Sequence, residues 1–290
     1  MFVLIIIKFI LRIYDRTTPM YLQINPVVFS IGPISVYWYG IMYLVGFTST
    51  WLLSMKRCQA TCNPIDKNVV SDMLFYAATG IVIGGHLGYI LIYELECFIE
   101  DPWIVLKICN GGISGMSFHG GLIGLILMIW LFCQKREYNV FDIFDFIAPM
   151  APIGLGAGRL GNFINGELWG KVTDLPIGMV FPSGGIIPRY PSQLFEFLFE
   201  GIFLWIILFF LLTKQQPKLL ISASFLLWYG TFRFIIEFLR QPDPQIGYLL
   251  LDCITMGQLL SLPMIITSLI ILYTLKILNN QFKDSICNNT

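Results

Sequence analysis

Charge is what this sequence has least of. Lys, Arg, Asp and Glu make up 12% of its 290 residues, where a soluble domain carries ~25%. That shortage excludes a soluble globular enzyme, a disordered chain and a nucleic-acid binder. The 18 basic and 18 acidic residues cancel, so net charge selects no partner. Histidine is scarce too, with two in the chain. The 7 cysteines, at 58, 62, 97, 109, 133, 253 and 287, are odd in number. Cys58 and Cys62 have no second pair and no neighbouring histidine, so zinc-ligand spacing is missing and no metal is expected. Also missing are a P-loop, a glycine fingerprint for dinucleotides and any repeat. No cofactor is implied.

What is present is apolar. Hydrophobic residues reach 56% and aromatics 15%, and mean hydropathy is +0.74. Seven long apolar runs stand at Pro33–Met55, Asp72–Tyr93, Ile113–Cys133, Phe141–Phe163, Leu194–Thr213, Leu219–Leu239 and Thr255–Lys276. Each approaches the ~20 residues a membrane-spanning helix needs, and barrel strands are about half that length. The pattern predicts an all-α integral membrane protein with seven transmembrane helices and a small extracytoplasmic head. Residues 20–290 read as a single seven-helix domain, with 159–193 as an outer-face segment between spans four and five. Residues 1–19 read as an uncertain extension: Lys8 interrupts their apolar stretch, which fits neither a span nor a signal peptide.

Lys and Arg set the expected orientation. Lys56, Arg57, Lys67, Lys135, Arg136, Lys214, Lys218, Lys276 and Lys283 all fall on one side. On the other, Lys107 sits among Glu94, Glu96, Glu100 and Asp101. The C-terminus is therefore expected in the cytoplasm and residues 20–32 outside. Lys8, Arg12 and Arg16 run against this arrangement.

The remaining polar residues gather near the outer ends of the spans, where charge is costly and usually functional. One cluster carries glycines 111, 112, 115, 120, 121 and 124 around His119. Glycines at this density favour close helix packing. A histidine of pKa about 6.5 can serve as a general base; a packing histidine bonded to a backbone carbonyl is the alternative. A second run, Gly158-Arg159-Leu160-Gly161-Asn162-Phe163-Ile164-Asn165-Gly166-Glu167, follows a span. The planar fork of Arg159 suits a phosphate, and Asn162 and Asn165 suit hydroxyls. Glu167 can hold the arginine or accept from a hydroxyl. The alternative is a buried structural pair of Arg159 with Glu167 or Asp145. A third run, Arg189-Tyr190-Pro191-Ser192-Gln193, opens the fifth span with Glu196 one turn inside. A fourth places Arg233, Glu237 and Arg240 on one helix face. So deep an arginine needs a partner from another helix or a phosphate. A softer feature is Tyr37-Trp38-Tyr39-Gly40, which an interfacial aromatic belt also explains.

These motifs occur in one order. With Ile24-Asn25-Pro26 and Ser117-Phe118-His119-Gly120-Gly121, they closely resemble bacterial phosphatidylglycerol–prolipoprotein diacylglyceryl transferases over residues 21–276. The resemblance implies a plasma (inner) membrane enzyme with seven spans and an outside N-terminus. Its donor would be phosphatidylglycerol and its acceptor the lipobox cysteine of a prolipoprotein, with membrane lipids around it and no nucleic acid. It implies that Arg159 and Arg233 serve phospholipid binding and catalysis. It also marks His119, Tyr39, Asn162, Glu167, Gly170, Glu196, Glu237 and Arg240 as site or near-site residues. Two departures stand out. The family usually has arginine where this chain has His86, in Gly85-His86-Leu87-Gly88-Tyr89, and some relatives have histidine at Tyr37.

Two other classes compete. Gly112-Ile113-Ser114-Gly115 matches the short pattern of a serine protease nucleophile, yet four residues in a glycine-rich stretch arise easily by chance. A transporter would show internal symmetry and midplane charges, and the charges here sit near one face.

Overall fold

The structure is a computed structural model, and it describes residues 20–21, 24–32, 34–59, 65–103, 108–109, 112–113, 117–212, 216–242, 247–250 and 254–287. Residues 1–19, Cys62, Lys107, Ser114, Lys214 and Cys253 lie outside that set, as do the side chains of His119 and Lys283.

The chain is mostly helical. The helices are α1 (Trp38–Arg57), α2 (Lys67–Tyr93), α3 (Leu95–Glu100), α4 (Phe118–Arg136), α5 (Val140–Ile147), α6 (Ala151–Asn165), α7 (Ser192–Leu211), α8 (Leu220–Ile236) and α9 (Met256–Cys287). Every apolar run found in the sequence contains a helix, and the run at 33–55 opens with the strand Ile34–Tyr37. The run at 141–163 is broken at 148–150. Pro149 and Pro152 explain the break. Proline lacks the N–H an inner helical turn needs, and it is tolerated at a helix start, where Pro152 sits.

Among the described residues, three helices are long and apolar enough to cross a membrane: Lys67–Leu91, Ser192–Leu211 and Met256–Leu278. A fourth is counted when α5 and α6 are taken as one broken span. Only 11% of the most apolar window of α9 is buried inside the protein. Its exposed residues, Leu259, Leu262, Ile266, Leu269, Ile270 and Tyr273 among them, form an apolar face of the kind that lipid covers.

An all-α description omits four short strand pairs among the described residues. Val27–Ile31 and Ile34–Tyr37 form a hairpin leading into α1, and Met20–Tyr21 pairs in parallel with Met179–Val180. The other two are Ile108–Cys109 with Gly112–Ile113 and Tyr248–Leu250 with Ile254–Thr255.

The chain divides into two compact units, residues 51–147 and residues 1–50 with 148–290. In the first, α2 and α4 pack backbone to backbone: a Cβ on Gly88 would stand 2.7 Å from the Gly120 Cα. The glycine-rich sequence around His119 is what lets them approach. Ser117 caps α4, accepting from the Gly120 N–H at 3.3 Å. Met73, Ile129, Phe132, Cys133 and Ile143 fill the core beneath. Arg57 donates to the Asp145 and Phe146 carbonyls at 3.2 and 2.8 Å, satisfying the end of α5.

In the second unit, Ala148, Leu204, Leu208, Ile221 and Tyr229 form one core cluster. Here α6 meets α7 at two glycines, where a Cβ on Gly156 would lie 3.2 Å from the Gly201 Cα. Residues 197–203 of α7 form a π-helix, a widened turn that often accompanies functional sites. Phe163, Met179 and Phe181 make a smaller core under the segment between α6 and α7.

Candidate active site

Two fully buried carboxylates on α7 organise the site. Glu196 and Glu200 are 0% exposed and stand four residues apart, at and inside the π-helical turn. Arg159 of α6 reaches both. Its Nη1 lies 3.3 Å from Glu196 Oε2, and its Nε and Nη2 donate to Glu200 Oε2 at 3.3 and 3.2 Å. Arg233 of α8 donates to Glu196 Oε1 and lies 3.9 Å from Glu200 Oε1. Its Nη2 pairs with Glu237 Oε2 at 3.0 Å. Arg240 Nη1 adds a third contact to Glu196 Oε1 at 3.4 Å.

Three guanidinium groups thus face three carboxylates, which is the condition for burying charge at tolerable cost. The arrangement has a direction. The carboxylates are sealed, while the Arg159 and Arg233 side chains retain 15% and 14% exposure. Each guanidinium carries five N–H donors, more than these contacts use.

A second layer lies where α6 ends. Gly166 terminates the helix in the left-handed region, at φ 67°. The chain turns back, and Glu167 Oε1 accepts from the amides of Asn162 and Asn165 at 2.9 and 3.3 Å. Arg159 therefore pairs with Glu196 and Glu200, in place of the Glu167 or Asp145 considered from the sequence. Asp145 lies in the other unit.

The returning segment is fastened down. Ser192 Oγ donates to the Leu168 carbonyl at 2.9 Å and Gln193 Nε2 to the Glu167 carbonyl at 2.6 Å. The Arg189 guanidinium stacks 4.1 Å from the Trp169 ring centroid. These contacts give the Tyr190–Gln193 motif a structural task beyond starting a helix.

Gly170 has a steric role. Its N–H bonds the Tyr190 carbonyl at 2.8 Å, and it bridges to Arg240. A Cβ there would stand 2.6 Å from the Leu239 carbonyl oxygen. Gly170→Ala is expected to cost roughly 1–3 kcal/mol of stability, the usual penalty for overpacking a rigid site. Thermal unfolding of the purified protein in detergent checks this, and an unchanged midpoint would contradict it.

Tyr39 of α1 packs against α6 at Gly161, where an added Cβ would lie 2.9 Å from Tyr39 Cδ2. Its hydroxyl bonds that of Tyr43 at 2.9 Å. Beside it opens a cavity of about 460 Å³ lined by Ser35, Tyr37, Tyr39, Leu44 and Asn165, among others.

The second unit brings together Arg159, Asn162, Glu167, Gly170, Glu196, Arg233, Glu237 and Arg240, with Tyr39 of α1 packed against α6. His119 lies in the other unit, in the first turn of α4. Glu200 is the residue the sequence reading missed. Its signal was available: a second carboxylate four residues from Glu196, inside an apolar span.

Apolar helices of bilayer length, with buried arginines opposed by carboxylates, define a membrane-helix protein with a guanidinium site suited to an anion. The pattern of the family described as Prolipoprotein diacylglyceryl transferase matches residues 26–274. A phosphatidylglycerol–prolipoprotein diacylglyceryl transferase of Francisella tularensis (strain SCHU S4 / Schu 4) is 49% identical over 267 residues, 91% of this chain and 98% of that protein. The protein of the same name from Pseudomonas aeruginosa (strain LESB58) is 48% identical over 249 residues, 86% of this chain and 92% of its own. The chain belongs to the prolipoprotein diacylglyceryl transferase family. It is a transferase.

Proposed function

We propose that the protein moves the diacylglyceryl group of phosphatidylglycerol to the lipobox cysteine thiol of prolipoproteins, the first step of bacterial lipoprotein maturation. A C–S thioether bond forms at the glycerol carbon that carried the phosphate. The C–O bond to that phosphate breaks, and glycerol phosphate leaves with the electron pair. The thiol proton passes to a base.

The observation that carries this is the arginine pair on Glu196. Arg159 and Arg233 share that carboxylate, so their guanidinium groups are close enough to hold one phosphodiester between them. Held there, they oppose the negative charge that grows on the leaving oxygen. Asn162, Tyr39 and Glu167 orient the head group, and Gly170 keeps Arg240 and the returning segment in register. A free cysteine has a pKa of about 8.5, and the thiolate is the nucleophile, so a base is required. His119 is that base in this proposal. Seven spans, an outside N-terminus and a cytoplasmic C-terminus in the bacterial plasma (inner) membrane complete the reading. The seven helical runs and the one-sided basic residues support it.

One assay tests the reaction. Purified protein, phosphatidylglycerol and a lipobox peptide should yield free glycerol phosphate and a peptide heavier by one diacylglyceryl group. Peptide cleavage, or no chemistry, would refute it. In the same assay His119→Gln should lose most activity, and retained turnover would remove the general-base role.

A further inference from the structure

The start of the last helix closes on Glu237. Thr255 and Gln258 form a reciprocal cap at the N-terminus of α9. The Thr255 N–H bonds Gln258 Oε1 at 3.2 Å, and the Gln258 N–H bonds Thr255 Oγ1 at 3.4 Å. The same Thr255 hydroxyl donates to Glu237 Oε1 at 3.0 Å. Gly257 completes the seat. A Cβ there would stand 2.7 Å from the Glu237 carboxyl carbon and within 2.9 Å of both its oxygens. The carboxylate lies where a side chain at 257 would be. Thr255, Gln258 and Glu237 are all buried. The positive end of the helix also favours a carboxylate there. The other oxygen of Glu237 holds Arg233. One continuous chain of contacts thus runs from the cap of α9 through Glu237 to a guanidinium of the site.

We infer that Thr255 and Gly257 are positioning residues for the transfer reaction, fixing Glu237 so that Arg233 is aimed at the phosphate that leaves. The inference rests on Arg233 holding that phosphate. It assigns the first turn of α9 a task beyond helix capping.

Three substitutions at 255 separate the two tasks. Serine keeps both the cap and the hydroxyl donor. Aspartate keeps the cap but sets an anion against Glu237. Valine removes both. Thr255→Ser should hold kcat near the parent value. Thr255→Asp should lower kcat on the order of 10–100-fold, the scale for a catalytic group displaced by about an ångström. Thr255→Val should lower kcat and melt earlier. Gly257→Ala leaves the cap intact and fills the carboxylate's seat, so it should lower kcat on the same scale. KM for phosphatidylglycerol should move less than kcat in each case, since the displaced contact matters most as the phosphate departs. If Thr255→Asp fails to fold, Gly257→Ala decides the question. Parental kcat in Gly257→Ala, or losses that only track the folded fraction, would overturn the inference. Arg233→Ala, run beside them, keeps the two ideas apart. Its retained turnover would sink the phosphate role, whereas an inactive Arg233→Ala with a fully active Gly257→Ala would sink the positioning role alone.

Discussion

Arg159→Ala and Arg233→Ala are each expected to insert in the membrane and to lose diacylglyceryl transfer by a factor of ~100 or more, equivalent to roughly 3 kcal/mol of transition-state stabilisation. The lost interaction is with charge that appears only as the phosphate leaves, so kcat should carry most of the effect. Lysine at either position is a sharper probe. It restores one positive charge but not the planar fork. Arg159 grips Glu200 through Nε and Nη2 while Nη1 reaches Glu196, and an ammonium cannot span that geometry. Arg159→Lys should therefore recover only part of the activity. Near-normal turnover in either alanine variant, measured as glycerol phosphate release, would rule out the phosphate clamp.

The second large effect is expected at Glu196, on stability as much as on activity. This carboxylate is fully buried and shared by Arg159, Arg233 and Arg240. Glu196→Ala would leave three buried cations facing two carboxylates. Breaking a buried charge network from one side costs about 3–5 kcal/mol. Glu196→Gln keeps an acceptor and removes only the charge, so its loss should be smaller. Denaturation in detergent should rank parent, Gln and Ala in that order. Equal midpoints for all three would mean that the cluster contributes no net stability. The exposed Arg136–Asp72 pair, with side chains 49% and 46% accessible, is the natural control. Surface pairs of that kind contribute about 0–1 kcal/mol.

Much of this was legible before any coordinates. Each apolar run contains a helix, because a long apolar stretch in lipid has few other ways to satisfy its backbone. The break at 148–150 was not anticipated, since Phe141–Phe163 read as one run although Pro149 and Pro152 stand in it. The polar clusters were also visible, since charge is conspicuous in a chain with so little of it. Harder to read was which charge meets which. Arg159 has Glu167 eight residues away in sequence, yet its partners lie 37 and 41 residues away on another helix. Glu167 instead accepts from Asn162 and Asn165, because Gly166 reverses the chain between them.

By itself, the sequence determined the class of protein, the family and most of the polar residues of the arginine–carboxylate cluster, Glu200 excepted. Periodicity, length and local motifs carry those, and each is a property of neighbours along the chain. Tertiary structure alone decided the wiring: Glu200 joining Arg159, one carboxylate shared by three arginines, and the cap of α9 seated under Glu237. Those contacts depend on how closely helices approach. Glycines at 156, 201 and 257 set that approach by leaving room for a backbone or a carboxylate, and the identity of a glycine in sequence does not reveal what fills the space it leaves.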